Sequence, residues 1–170
     1  MENFDDCILG ETAEEITLET SDENRAAAIR MIDGCRRYLN IISRDLDPCI
    51  YDTREMSDAI KKLALRSRSS RIRILILQSE SLKSHNHRLL DLSERLSSFI
   101  EIKKPSKQHS DYNSSLMLVD NCGYIRRPHS DRFEGRASFD DRKTVAELQE
   151  EFKILWEHGL QDPNFRYLSL

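Results

Sequence analysis

Apolar positions recur along this chain in two rhythms, one suited to helices and one to strands. Ser70–Leu77 reads SRIRILIL, alternating first and then continuously apolar, as a strand covered on both faces of a sheet does. Ahead of it, Met56, Ala59, Ile60, Leu63 and Ala64 fall at the spacing of one buried helical face, in a helix opening near Asp52. Behind it, Leu89, Leu92 and Leu96 predict another helix, and Phe99–Ile102 a short strand. The polar, proline-containing Lys103–Asp111 predicts a loop, and Ser115–Val119 and Tyr124–Arg126 predict two more strands.

The ends of the chain follow the same logic. Thr20 and Glu23 have capping-box spacing at the head of a helix over Asn24–Gly34. Arg37–Ser43 predicts the first strand, and Asp45-Leu46-Asp47-Pro48 a turn. Pro128–Asp141 has no period and predicts a long surface loop. Thr144 and Glu147 open a last helix that places Leu148, Phe152, Leu155 and Trp156 on one face, before an apolar tail with Phe165, Tyr167, Leu168 and Leu170. Strands alternating with helices predict an α/β fold.

Composition changes this picture in one respect. The net charge of −4 conceals nine acidic residues and no basic ones within the first 23. Removing them from the 30 acidic residues leaves 21 against 26 basic ones, a body of net +5. An acidic N-terminal arm over 1–23, solvated or folded back on a basic face, and a single domain over 24–170 are expected. No apolar run reaches the length of a membrane span, and no signal-peptide pattern opens the chain, so a cytoplasmic location is expected. Cys7, Cys35, Cys49 and Cys122 have no ligand-like spacing and read as reduced residues, with no metal site and no cofactor expected.

One segment carries chemistry. Tyr112–Asp120, YNSSLMLVD, is an apolar strand ending on an aspartate, and it resembles the HxKxxxxD motif strand of the phospholipase D superfamily. With the aspartate on Asp120, the histidine position falls on Asn113 and the lysine position on Ser115. A register using His109 puts Asp111 and Leu116 at the other two positions and fits worse. The order of elements over roughly 35–160, and Phe152 and Trp156 in the last helix, are similar to one unit of that superfamily. HRLLDLSERL (His87–Leu96), RDLDPCIYD (Arg44–Asp52) and DPNFRYLSL (Asp162–Leu170) resemble a bacterial branch whose members occur alone or joined to N-acetyltransferase domains.

The resemblance implies a phospholipase D-like mixed β-sheet flanked by helices on both faces. It also implies a homodimer, because active single-motif members pair two motifs at one pocket. In active members the histidine is the nucleophile and the lysine binds phosphate. An amide has no usable basicity and a serine no positive charge, so Asn113 and Ser115 argue against that chemistry. The family's downstream Gly-Ser and Asn motif has no counterpart after Gly123.

The candidate pocket therefore comprises Tyr112, Asn113, Ser115 and Asp120, joined by His87 and Arg88 at a helix start and by Asp45 and Asp47 at a strand end. An anionic, phosphate-containing ligand suits such a group. Lys61, Lys62, Arg66, Arg68, Arg71 and Arg73, with no acidic residue among them, form a candidate basic face for nucleic acid. Three readings follow: a non-catalytic binding or dimeric scaffold module, a diverged phosphodiesterase or nuclease-type hydrolase, and a nucleic-acid-binding module using the 61–73 face.

Overall fold

The computed structural model describes residues 3–82 and 86–162. Seven strands form one mixed sheet: β1 (Ile16–Leu18), β2 (Tyr38–Ser43), β3 (Arg71–Ile76), β4 (Ile100–Lys103), β5 (Ser115–Val119), β6 (Gly123–Arg127) and β7 (Gly135–Ser138). Their order is β1-β7-β6-β5-β2-β3-β4. The β2–β3 and β3–β4 pairs are parallel, and the remaining pairs are antiparallel. The parallel half is built from crossovers through helices, whereas β5 to β7 follow one another as a meander.

Five helices cover the two faces: α1 (Ser21–Gly34), α2 (Pro48–Tyr51), α3 (Arg54–Arg66), α4 (Arg88–Arg95) and α5 (Arg142–Glu157). Helices α1 to α4 bury one face, where Ile72, Ile74 and Ile76 of β3 meet Met117 and Val119 of β5. Helix α5 covers the other, packing Val145, Leu148, Phe152, Leu155 and Trp156 on Ile42, Leu75, Leu116 and Leu118. The unbroken apolar run in β5 has this cause: all five of its residues are buried, alternately toward each helical layer.

The helix caps refine the sequence reading. Thr20 caps α1 through a 3.1 Å bond from the Glu23 N–H and donates its hydroxyl to the Glu23 carboxylate, as the spacing predicts. Helix α3 is capped by Thr53 rather than Asp52, and α5 by Asp141 rather than Thr144. The Thr144 N–H and hydroxyl both donate to the Asp141 carboxylate, at 3.0 and 2.7 Å, so the capping pair is offset by three residues. Asp52 is unavailable as a cap because it accepts from Arg88.

Two further placements were not legible. The expected loop over Pro128–Asp141 contains β7, whose short residues Gly135, Ala137 and Ser138 are buried between β1 and β6. The acidic segment contributes β1, which pairs with β7, and Phe4, which is buried against Phe139 at 6.4 Å between ring centroids. Arg30 donates to the carbonyls of Cys7 and Asp5 and fastens the same segment to α1. The apolar tail with Phe165, Tyr167, Leu168 and Leu170 lies outside the described residues. Among the described residues no helix is long and apolar enough to cross a membrane, and all four cysteines are free thiols.

Candidate functional site

The motif strand β5 has two ends, and they do different things. At its start, Ser115 is buried on the α1–α2 side and donates its hydroxyl to the Ile42 carbonyl at 3.0 Å. Asn113 is tied to the β6–β7 connection: its side-chain oxygen accepts from the Ser130 hydroxyl at 2.6 Å, and its carbonyl from the Ser130 N–H at 2.8 Å. Beside Ser115 stands Arg127, its register partner on β6, with Tyr51 and Asn24 above. The cavity they leave measures about 10 Å³, the least space that admits one water.

Arg127 was not singled out in the sequence, yet it is a buried cation directly opposite Ser115. Its guanidinium donates to the carbonyls of Arg132 and Ser130, at 2.6 and 3.1 Å, and lies 5.2 Å above the Phe133 ring. Burial pushes the neighbouring Tyr51 phenol up to about 12, with Arg127 pulling the other way. Tyr112 does not join this group. It packs on the α5 side, where burial and the nearby Glu151 carboxylate raise its phenol far above the usual range.

At the other end, β5 delivers Asp120, roughly 16 Å from Ser115 at strand rise. The Asp120 carboxylate accepts the backbone N–H groups of Arg36, Arg37 and Tyr38 at 2.9 to 3.0 Å. Its own N–H donates to the Tyr38 carbonyl at 2.8 Å, and its carbonyl accepts from Gln149 of α5. Asp120 adopts a φ of 52°, a left-handed conformation that aspartate tolerates. The expectation that Asp120 shares a pocket with Asn113 and Ser115 is therefore corrected, because strand length separates them. Beside it, burial and the Asp120 charge push the Cys35 thiol up to about 12, leaving it unreactive.

His87, Arg88 and the aspartates form a third cluster. His87 is buried, with Nε2 2.9 Å from the Leu46 carbonyl, while Nδ1 accepts from the Leu89 N–H as the α4 cap. That pairing requires the neutral tautomer with its hydrogen on Nε2. Burial lowers its pKa below 6.5, against the opposing pull of the Leu46 carbonyl, Asp52 and Asp45. Arg88 pairs with Asp52 at 3.1 Å rather than with Asp45, and Asp47 caps α2 by accepting from the Cys49 N–H. These side chains fix the β2–α2 turn and the start of α4, and no group of three or more metal-binding side chains occurs among the described residues.

The basic run also divides. Lys61 and Lys62 are exposed on α3, and Arg68 lies in the loop before β3. Arg66, still exposed, reaches across to donate to the carbonyls of Cys35 and Asp33 at the end of α1. Arg71 and Arg73 face away from α3, into a polar cavity of about 790 Å³ beside Asp120. Arg36, Arg37 and Arg142 line it too. The adjacent pair Arg36-Arg37 just after Gly34 was the sequence signal for this cavity.

With this geometry in place, comparison with known proteins is informative. The model of a family described as Domain of unknown function (DUF7931) matches residues 20–168. No curated protein matches the chain significantly in sequence. Among solved structures, Nuc from Salmonella typhimurium, a phospholipase D family member, is 13% identical with a TM-score of 0.57, over 86% of this chain and 97% of that one. NucT from Helicobacter pylori is 15% identical with a TM-score of 0.59, over 88% of this chain and 99% of that one. TrmBL2, an archaeal chromatin protein described as showing a novel mode of DNA binding, is 13% identical with a TM-score of 0.62. That match covers 87% of this chain, which spans about half of the TrmBL2 chain (54%). The fold is phospholipase D-like.

Two outcomes are expected from this geometry. Asp120→Ala should lower stability by about 2–3 kcal/mol by removing three charge-assisted bonds to backbone donors. Asp120→Asn should cost less, since its one side-chain oxygen still serves Arg37 and Tyr38. Urea denaturation measures both, and a loss below about 1 kcal/mol for the alanine variant would contradict the role given to the carboxylate.

The second concerns pH. His87 binds its proton more weakly when folded, so its stabilising contribution is complete above pH 6.5 and is lost as pH falls toward the depressed folded value. His87→Asn keeps a capping acceptor but takes up no proton. Wild-type urea midpoints should therefore fall more steeply than the variant's between about pH 7.5 and 5.5. Parallel curves would remove His87 from the account.

Proposed function

The chain belongs to the family described as Domain of unknown function (DUF7931), and from that premise and its phospholipase D-like fold we propose a non-catalytic binding and scaffold module. The observation carrying this reading is the closed start of β5. About 10 Å³ of space remains beside Ser115, whereas small-molecule sites occupy hundreds. Both motif side chains that departed from the pattern are committed to structural hydrogen bonds, Asn113 to Ser130 and Ser115 to Ile42. Neither supplies a nucleophile or a phosphate-facing cation. The guanidinium of Arg127 is committed to two backbone carbonyls.

The hydrolase alternative has less support. His87 would be its base, but its ring nitrogens meet Leu46 and Leu89 in the closed cluster described above. The nucleic-acid reading loses Arg66 to the end of α1, and Arg71 and Arg73 lie away from Lys61 and Lys62. The phospholipase D-like fold with a single motif strand favours a homodimer, with the sheet serving as scaffold.

The test is an assay of bis(p-nitrophenyl) phosphate, DNA and phospholipid vesicles with divalent metals supplied. Wild-type protein should release product no faster than the Asn113→Ala, Ser115→Ala double variant; turnover abolished in that variant would overturn the reading. Restoring the motif pattern with Asn113→His and Ser115→Lys should destabilise the fold by about 2–4 kcal/mol, because an ammonium enters a filled site. Light scattering at tens of micromolar should report a dimer, and a monomer there would remove the scaffold part of the proposal.

A further inference from the structure

We propose that the cavity at the Asp120 end of the sheet is a binding site for an oligophosphate group, carried by a small molecule. This inference stands apart from whether the start of β5 is inert, since it concerns the opposite end of the strand. Five arginines line the cavity from three separate places in the sequence, Arg71 among them with one guanidinium nitrogen donating to the carbonyls of Arg68 and Ser70. Arg36 and Arg37 come from the α1–β2 turn, Arg71 and Arg73 from β3, and Arg142 from the start of α5.

Their convergence is a product of register. Tyr38 pairs with Arg71 and Asn40 with Arg73 across the parallel β2–β3 ladder, so these four side chains share one face of the sheet. The Asp120 carboxylate holds the backbone of Arg36, Arg37 and Tyr38, which sets the turn from which two of the arginines project. The resulting space of about 790 Å³ falls within the range of small-molecule sites.

The charge balance gives the ligand class. Among the described residues, no carboxylate lies within ion-pair distance of Arg36, Arg37, Arg71 or Arg73. Arg73 rests over the Trp156 ring at 5.5 Å and Arg37 over the Tyr38 ring at 5.7 Å. Glu101, in register with Arg73 on β4, makes no ion pair with it, and Arg142 reaches Asp140 only at 3.7 Å. Glu11 lines the cavity, and Asp120 is occupied by backbone donors. Cations gathered around open space repel one another, and an anion placed among them relieves that repulsion. Guanidinium forks match phosphate oxygens in pairs, so several of them around one space suit a chain of phosphates better than a single one. Convergence on a concave space, away from the lysines of α3, favours a compact ligand over a nucleic-acid strand.

The test titrates the full chain calorimetrically with sodium tripolyphosphate and with ATP in about 100 mM salt. Both should bind with a Kd below about 1 mM and raise the melting midpoint. Equal affinities would assign recognition to the phosphates alone, and tighter ATP binding would add a nucleoside contact; both support the site. The Arg37→Gln, Arg73→Gln double variant should bind at least about tenfold more weakly, while Lys62→Gln, outside the cavity, should change affinity less than about twofold. Circular dichroism verifies folding. Should the double variant misfold, Arg36→Gln serves instead, because the Arg36 side chain makes no hydrogen bond or ion pair among the described residues. Absence of binding by both ligands, unchanged affinity in the variants, or duplex DNA binding more tightly through the same arginines would each overturn the proposal.

Discussion

The carboxylate of Asp120 is the point on which this structure turns. It gathers three consecutive backbone N–H groups where α1 ends and β2 begins, while its own N–H and carbonyl engage β2 and α5. One residue thus joins the two helical layers to the central strand pair, and sets where β2 enters the sheet. Charge-assisted bonds to backbone donors are among the stronger ones available, and leaving the donors unpaired would be costlier than forming the bonds is rewarding.

This gives the aspartate of the strand a structural role whatever stands at Asn113 and Ser115. The positions of HxKxxxxD need not share a fate, because the strand carries the last one far from the first two. Asn113 and Ser115, at the start of the strand, are both engaged in local hydrogen bonds. Asp120 sits where the chain must be held. An architectural carboxylate is thus held in place by stability rather than by chemistry.

Much of the fold was legible because it rests on periodicity. SRIRILIL became β3, SLMLV became β5, and the apolar faces of α3 and α5 pack as spaced. Strand β7 was not legible, since GRAS contains no large apolar residue and owes its place to tight packing between two partners. Strand β1 was hidden by the acidic residues around Ile16 and Leu18. The site residues were less readable for a different reason. Sequence separates Arg36 and Arg37 from Arg71, Arg73 and Arg142, and only the β2–β3 register and the path of α5 bring them to one cavity. The motif suggested neighbours for Asp120 that strand length places out of reach.

The pairing of β1 with β7 has a consequence for how the molecule is assembled. Ile16 lies opposite Ala137, so the first strand finds its place only after β7, far along the chain, has been made. The β2–α3–β3 and β3–α4–β4 units close short loops and can form early, whereas β1 must wait for a distant partner and bear the larger entropy of closing that loop. Until then β1 is an unpaired strand, and the acidic residues flanking it disfavour pairing with another copy. Part of that charge is then taken up by the finished sheet, where Glu15 reaches Arg136 of β7 at 3.4 Å.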